Sequence, residues 1–202
     1  MSRFRLTMIE NCTAVILAGG QSRRMGQDKA SLIFEGQSLL ARAEQRLKPL
    51  FSNIVVSVRS RRDDTLLPQV FDGSDDHAPM LGIVAVLETI HTDWLCVVGV
   101  DMPFVVPDVL QQMAAQRAGH DAVLAEVEGH LQPMPAFYAK QACLPAMRSR
   151  IAQGRRSLMR LIPSLNTAVL TEADLRVFDP DLRSFVDFDT PEDLHADITQ
   201  LL

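Results

Sequence analysis

Between Leu17 and Lys29 the chain reads Leu17-Ala18-Gly19-Gly20-Gln21-Ser22-Arg23-Arg24-Met25-Gly26-Gln27-Asp28-Lys29. Glycines at 19, 20 and 26 let the backbone come close to a ligand and present N–H groups to it. Arg23, Arg24 and Lys29 add three positive charges within seven residues. Backbone donors and clustered cations together make a site for a polyphosphate. The spacing is not that of a Walker A loop, which requires G-x-x-x-x-G-K-[ST]. Nor is it G-x-G-x-x-G, because Gly20 follows Gly19 directly.

A second candidate is Asp101, which ends the fully apolar run Trp94 to Val100. A carboxylate at that point can hold Mg2+ against phosphate oxygens, since Mg2+ takes only one or two protein carboxylates when phosphates supply the rest. Asp187 and Asp189, near the end of the chain, are candidates for a further or water-mediated metal contact, or for capping a helix at Pro191. Arg148, Arg150, Arg155, Arg156 and Arg160 form a second basic cluster, suited either to a phosphate-bearing acceptor or to a solvated helix face. The five histidines show neither i,i+4 pairing nor H-E-x-x-H, and no Ser-His-Asp or Cys-His arrangement is evident.

These residues need elements to position them. Ala14 to Ala18 is a short apolar run ending in two glycines, as in a buried parallel strand that turns sharply. Ser38 can cap a helix whose apolar positions Leu39, Leu40, Ala43, Leu47 and Leu50 share a face, ending near Pro49. Strands are expected at Asn53 to Val58, Gln69 to Phe71, Trp94 to Val100, Ala122 to Val127, Ala136 to Tyr138, Thr167 to Leu170 and Ser184 to Phe188. Helices are expected at Leu81 to Ile90, from Pro107 to Gly119, on either side of Gly154, and after Thr190-Pro191-Glu192-Asp193. Strands alternating with helices predict an α/β fold with a doubly wound, mostly parallel sheet, whose ligands bind at the carboxyl ends of the strands.

The chain has 202 residues at 22.4 kDa, with 47% hydrophobic and 22% charged residues. That predicts one domain around one core, residues 1–202, and argues against disorder or a disulfide scaffold. Within it, residues 13–125 read as a nucleotide-binding part and 126–202 as an acceptor-binding part. A formal net charge of -5 argues against a general nucleic-acid surface. Cys12, Cys96 and Cys143 are spaced like neither a disulfide framework nor a metal site, and read as reduced core thiols of a cytoplasmic protein. No apolar run reaches the ~18 residues of a membrane span, so no membrane partner is expected.

Taken together, these motifs resemble those of the MobA-like nucleotidyltransferases, the molybdenum cofactor guanylyltransferases above all. The signature Leu-Ala-Gly-Gly-x-x-x-Arg-Met-Gly-x-Asp-Lys is matched from Leu17 to Lys29. Ala78-Pro79-Met80-Leu81-Gly82-Ile83 resembles the family's G-P-L-A-G-I, and Val100-Asp101-Met102-Pro103-Phe104 its C-D-M-P-F. Phe188-Asp189-Thr190-Pro191-Glu192-Asp193 resembles its N-x-N-T-P-E-D, and Gln132-Pro133 to Tyr138 and Gly154-Arg155-Arg156-Ser157-Leu158 also have counterparts. The resemblance implies a Rossmann-like nucleotidyltransferase fold, Mg2+ as cofactor, and transfer of GMP from GTP to the phosphate of molybdenum-bound molybdopterin with release of pyrophosphate. It further implies Arg24, Lys29 and Asp101 as catalytic residues, Asp101 as metal ligand, and Leu17, Ala18, Gly19, Lys29, Ser57, Asp72 and Asp101 as nucleotide contacts. Gln132 and Pro133 would line the acceptor pocket, and molybdoenzymes or their chaperones are possible partners. The chain departs from the family at Ser57, Val100, Ala78 and the acids 187 and 189. These departures keep open a cytidylyl or small-metabolite transferase, and a nucleotide-binding delivery protein without catalysis remains a reading of another class.

Overall fold

The computed structural model describes residues 6–19, 28–73, 78–188 and 193. Nine strands are described: β1 (Cys12–Leu17), β2 (Ile33–Phe34), β3 (Gln37–Ser38), β4 (Asn53–Val58), β5 (Gln69–Phe71), β6 (Trp94–Gly99), β7 (Ala122–Val127), β8 (His130–Ala139) and β9 (Thr167–Leu170). The helices are α1 (Leu39–Leu47), α2 (Pro79–Thr89), α3 (Pro107–Ala115), α4 (Lys140–Ala152) and α5 (Glu172–Arg176). β2 and β3 form a small hairpin of their own, and the other seven strands form one sheet in the order β5-β4-β1-β6-β8-β7-β9.

Every ladder of that sheet is parallel except the two that β8 makes, with β6 and with β7. The expected mostly parallel, doubly wound α/β sheet is therefore present. Both faces are covered. Ala14 and Ile16 of β1 join a core with α1 and α3, while Val15 joins the opposite core with α2 and α4. That alternation follows from the period of two along a strand and explains why β1 is apolar throughout. From β1 the chain passes through α1 to β4 on one side, and from β5 through α2 to β6 on the other. The carboxyl end of β1 is thus the switch point of the sheet, where such folds bind ligands.

Local chemistry accounts for the elements. Ser38 Oγ accepts a hydrogen bond from Ala41 N at 3.2 Å, the expected cap of α1. Glu128 and Gly129, at φ 53° and 72°, make the two-residue left-handed turn that joins β7 to β8. β8 is longer than the expected Ala136 to Tyr138, and its register with β7 shifts between Ala125↔Gln132 and Val123↔Phe137. Pro133 and Pro135 fall in that irregular stretch, where they have no N–H to give.

Three expectations need correction. Ser184 to Phe188 is not a strand but a 3-10 turn at Arg183–Phe185 followed by an extended segment. There Asp179 Oδ2 accepts from Ser184 N at 2.7 Å, taking a group a ladder would use, and Ser184 Oγ accepts from Val106 N at 2.9 Å, tying the segment to the start of α3. Between Gly154 and β9 there is no α-helix; only a 3-10 turn, Ile162–Ser164, forms there, with Pro163 inside it. α3 stops at Ala115, four residues before Gly119. Sequence reading also passed over α5, whose Thr171 and Asp174 make a reciprocal capping box. The helix start expected at Thr190 lies outside the described residues, apart from Asp193.

All three cysteines are buried and unpaired with one another. Burial pushes the thiols of Cys12 and Cys143 up to about 12. Among the described residues no helix is long and apolar enough to cross a membrane.

Candidate functional site

Three strand ends meet at one level. Leu17, the last residue of β1, pairs with Ser57 of β4 and with Gly99 of β6. Beyond it, Ala18 N donates to Ser57 O at 2.9 Å and Leu17 O accepts from Val100 N at 3.1 Å. A pocket opens there, lined by Leu17, Gly19, Ser57, Asp72, Gly99 and Asp101, with Arg59, Ala78, Pro79, Gly82 and Met134 closing it. Five of the residues expected to contact nucleotide therefore share one cavity, although they come from four separate stretches of the chain.

Lys29 joins them through its side chain. Its Nζ lies 2.8 Å from Asp101 Oδ2, with the two side chains 12% and 25% exposed. Lys29 opens a 3-10 turn whose first backbone group, Ala30 N, is capped by Asp28 Oδ1 at 3.2 Å. Asp28 is in turn gripped by Arg62, the outer end of the segment that follows β4. The Arg62 guanidinium also donates to Ser31 Oγ at 2.8 Å and to Asp64 at 2.6 and 2.9 Å. Gln69 holds Arg62 itself by bonds to its backbone N–H and carbonyl, at 2.9 and 2.7 Å. Charge-assisted bonds of this kind orient groups strongly when partly shielded from water, and the Arg62 side chain is only 11% exposed.

Two glycines make room. A Cβ on Gly99 would fall 2.4 Å from Asp101 Oδ1, so that carboxylate folds back over β6 only because residue 99 has no side chain. A Cβ on Gly82 would fall 2.6 Å from Ser57 Oγ and 3.3 Å from Leu17 Cδ2, so α2 seats directly on the ends of β1 and β4. Ser57 is accordingly 1% exposed and forms the floor of the pocket.

The backbone at Asp101 is fixed from behind. Phe188 N donates to Asp101 O at 2.9 Å. Phe34, Phe104 and Phe188 pack edge to face, their centroids 5.0 to 5.6 Å apart. This cluster ties the β2–β3 hairpin, the turn after Asp101 and the last described segment into one support.

Other expected residues lie elsewhere. Arg24 and Asp189 are outside the described residues. Asp187 is exposed and lines an adjoining groove with Gln132, His130, Arg176 and Asp193. Of the second basic cluster, Arg148 pairs with Glu88 at 2.8 Å, at the end of α2 remote from the pocket, and none of the five arginines lines the pocket. Sequence reading missed Arg59, Arg62 and Gly99, and noted Gly82 only as part of the motif Ala78 to Ile83. Arg59 could have been found, because it sits two residues beyond Ser57, a spacing that keeps side chains on one face of an extended chain.

The Asp101 carboxylate fits a hard cation: an oxygen donor, partly exposed, facing a pocket with room for phosphate oxygens. Among the described residues there is no group of three or more His, Cys, Asp or Glu that could enclose a metal alone. A single-carboxylate site is the kind that Mg2+ shares with a phosphate ligand.

Sheet order and site together define an α/β enzyme of the nucleotidyltransferase class. Residues 14–169 match the model of the MobA-like NTP transferase domain, and the chain belongs to that family. It is 32% identical over 197 residues, covering 90% of this chain and 88% of its relative, to a probable molybdenum cofactor guanylyltransferase of Methanosarcina mazei. Its fold resembles that of molybdopterin-guanine dinucleotide biosynthesis protein A from Archaeoglobus fulgidus, with TM-score 0.79 and 28% identity over 91% of this chain and 95% of the other. The 2-C-methyl-D-erythritol 4-phosphate cytidylyltransferase of Thermus thermophilus shares the fold at TM-score 0.67 and 16% identity, covering 90% of this chain and 94% of that one.

Proposed function

We propose that this protein transfers GMP from GTP to the terminal phosphate of molybdopterin carrying molybdenum, releasing pyrophosphate. The observation that carries the reading is the convergence of Leu17, Gly19, Ser57, Asp72 and Asp101 on one pocket, with Lys29 paired to Asp101 at its phosphate end. Relatives named as molybdenum cofactor guanylyltransferases, matched over nine-tenths of this chain, support the choice of nucleotide and acceptor.

In this reading an oxygen of the acceptor phosphate attacks the α-phosphorus of GTP in line. The bond from the α-phosphorus to the bridging oxygen breaks, and both electrons leave with pyrophosphate. Transfer of this type needs positioning and charge neutralisation more than covalent help. Lys29 and Arg24 neutralise the phosphates, Leu17 to Gly19 lie against the base, and Asp72 and Ser57 complete the nucleoside end. Asp101 would hold Mg2+, which supplies positive charge to the phosphate oxygens as negative charge builds on the leaving group. The acceptor enters from the side of β8, where Met134 closes the pocket and Gln132 lines the adjoining groove.

Equilibrium binding of GTP, CTP and ATP in the presence of Mg2+ tests the reading, with wild type and Asp101→Ala side by side. GTP preferred by wild type and weakened in the variant is the expected result. CTP preferred instead would move the protein to a cytidylyl activity on the same fold.

A further inference from the structure

We propose that Arg59 reads the base, donating its guanidinium fork to O6 and N7 of guanine, and so sets nucleotide choice in the pocket. The inference rests on the guanylyl reading above.

Position is the first argument. The point where a Cβ of Gly19 would stand is 3.6 Å from Arg59 Cγ, 4.0 Å from Arg59 Nε and 3.2 Å from Asp72 Oδ2. A guanidinium stem and a carboxylate thus flank the same short piece of backbone, the one that must lie under the nucleoside. Both are fixed by adjacent strand ends: Val58 pairs with Phe71, and Asp72 N donates to Val58 O at 3.3 Å. Ser57, on the same face two residues earlier, is 1% exposed with its hydroxyl against Gly82, so it forms a floor rather than a reading group.

Charge is the second argument. The pocket's other end holds Asp101 with Lys29. A triphosphate placed instead at Gly19 would meet the Asp72 carboxylate, so phosphates belong at the Lys29 end and the base at the Arg59 end. Guanine presents two acceptors, O6 and N7, side by side, and next to them two donors, N1–H and the 2-amino group. A guanidinium fork matches the first pair and a carboxylate the second. Adenine turns an amino group toward the fork, donor against donor, and cytosine has no O6/N7 pair.

Calorimetric binding with Mg2+ present tests this, using GTP, 7-deaza-GTP, 2-aminopurine riboside triphosphate and CTP on wild type, Arg59→Lys and Arg59→Ala. Wild type should bind GTP roughly 10-fold more tightly than 7-deaza-GTP, which lacks N7 but keeps N1–H and the 2-amino group that face the carboxylate. Arg59→Ala should lose that margin while its affinity for CTP stays as it was. Arg59→Lys, which keeps the charge beside Asp72, should fall between the two and guards against a folding artefact. If Arg59→Ala weakened GTP and CTP alike, Arg59 would be a phosphate contact and the proposal would fail. A wild-type GTP preference that survived in both variants would remove Arg59 alone, whereas a wild type that preferred CTP would remove the guanylyl reading with it.

Discussion

Lys29 Nζ and Asp101 Oδ2 are 2.8 Å apart, so the side chain expected to meet phosphate and the one expected to meet a cation neutralise each other before any ligand arrives. Each must give up the other to take its ligand, and a triphosphate with a bound cation satisfies both at once. Asp101→Asn should therefore lower turnover roughly 10²- to 10³-fold, the cost typical of losing one preorganised electrostatic contact. Its circular dichroism spectrum should stay that of wild type. Titration with Mn2+ as a paramagnetic probe should show weak binding to the free protein and much tighter binding once GTP is added.

Gly82 sits inside a helix, where Ala would normally gain about 1 kcal/mol. Here a Cβ would press on Ser57 Oγ at 2.6 Å. Gly82→Ala should lower Tm instead of raising it and reduce nucleotide affinity by deforming the pocket floor. Adding Ser57→Gly should recover much of the lost stability, a coupling measurable by a double-mutant thermal-denaturation cycle.

Arg62 holds Asp28, Ser31 and Asp64 at once and touches none of the pocket, so it is a positioning residue for the turn that carries Lys29. Arg62→Ala should reduce kcat about 10-fold, a 1.4 kcal/mol effect on the barrier, with a smaller change in KM for nucleotide. Arg62→Lys should restore little, because one ammonium cannot serve three acceptors in the plane of a guanidinium. The hydrogen bond from Arg62 holds the Asp64 carboxyl below its ordinary 3.8. A depressed folded-state value contributes stability that is present above the ordinary value and lost as pH falls below it. Wild type should accordingly lose its Tm advantage over Arg62→Ala when melting curves are compared at progressively lower pH below about 4.

Phe188 is fully buried among Phe34 and Phe104 while its backbone N–H holds Asp101 O. Truncation to Ala should destabilise the protein by about 3–5 kcal/mol, as for other buried aromatics. Chemical denaturation would measure it. Phe188→Leu, which keeps most of the volume, should retain fold and activity far better.

Much of this architecture was legible in the sequence because the signals were local. β1, β4, β6 and β7 are apolar runs of strand length, and Ser38 and Pro107 mark helix starts by their own chemistry, whereas α2 starts at Pro79, two residues before the expected Leu81. Asp72 lies one residue past the end of a strand and Gly19 and Asp101 two, which is where a parallel sheet presents its ligands. What was not legible depended on partners distant in sequence. Ser184 to Phe188 has strand composition, but the Asp179 carboxylate takes the Ser184 N–H and the Asp101 carbonyl takes that of Phe188. Arg59 and Arg62 read as a polar stretch, because only the fold brings one to Gly19 and the other to Asp28. The arginines from 148 to 160 illustrate the converse: their clustering in sequence does not place them at the pocket.

Release of pyrophosphate in a reaction containing the protein, Mg2+, molybdopterin loaded with molybdenum and either GTP or CTP is the most direct test of the central claim. Equimolar pyrophosphate and guanine dinucleotide cofactor from GTP, with none from CTP and none from Asp101→Ala, is the result expected. Release from CTP alone would contradict the guanylyl reading, and tight binding of GTP with no pyrophosphate from either nucleotide would contradict catalysis itself.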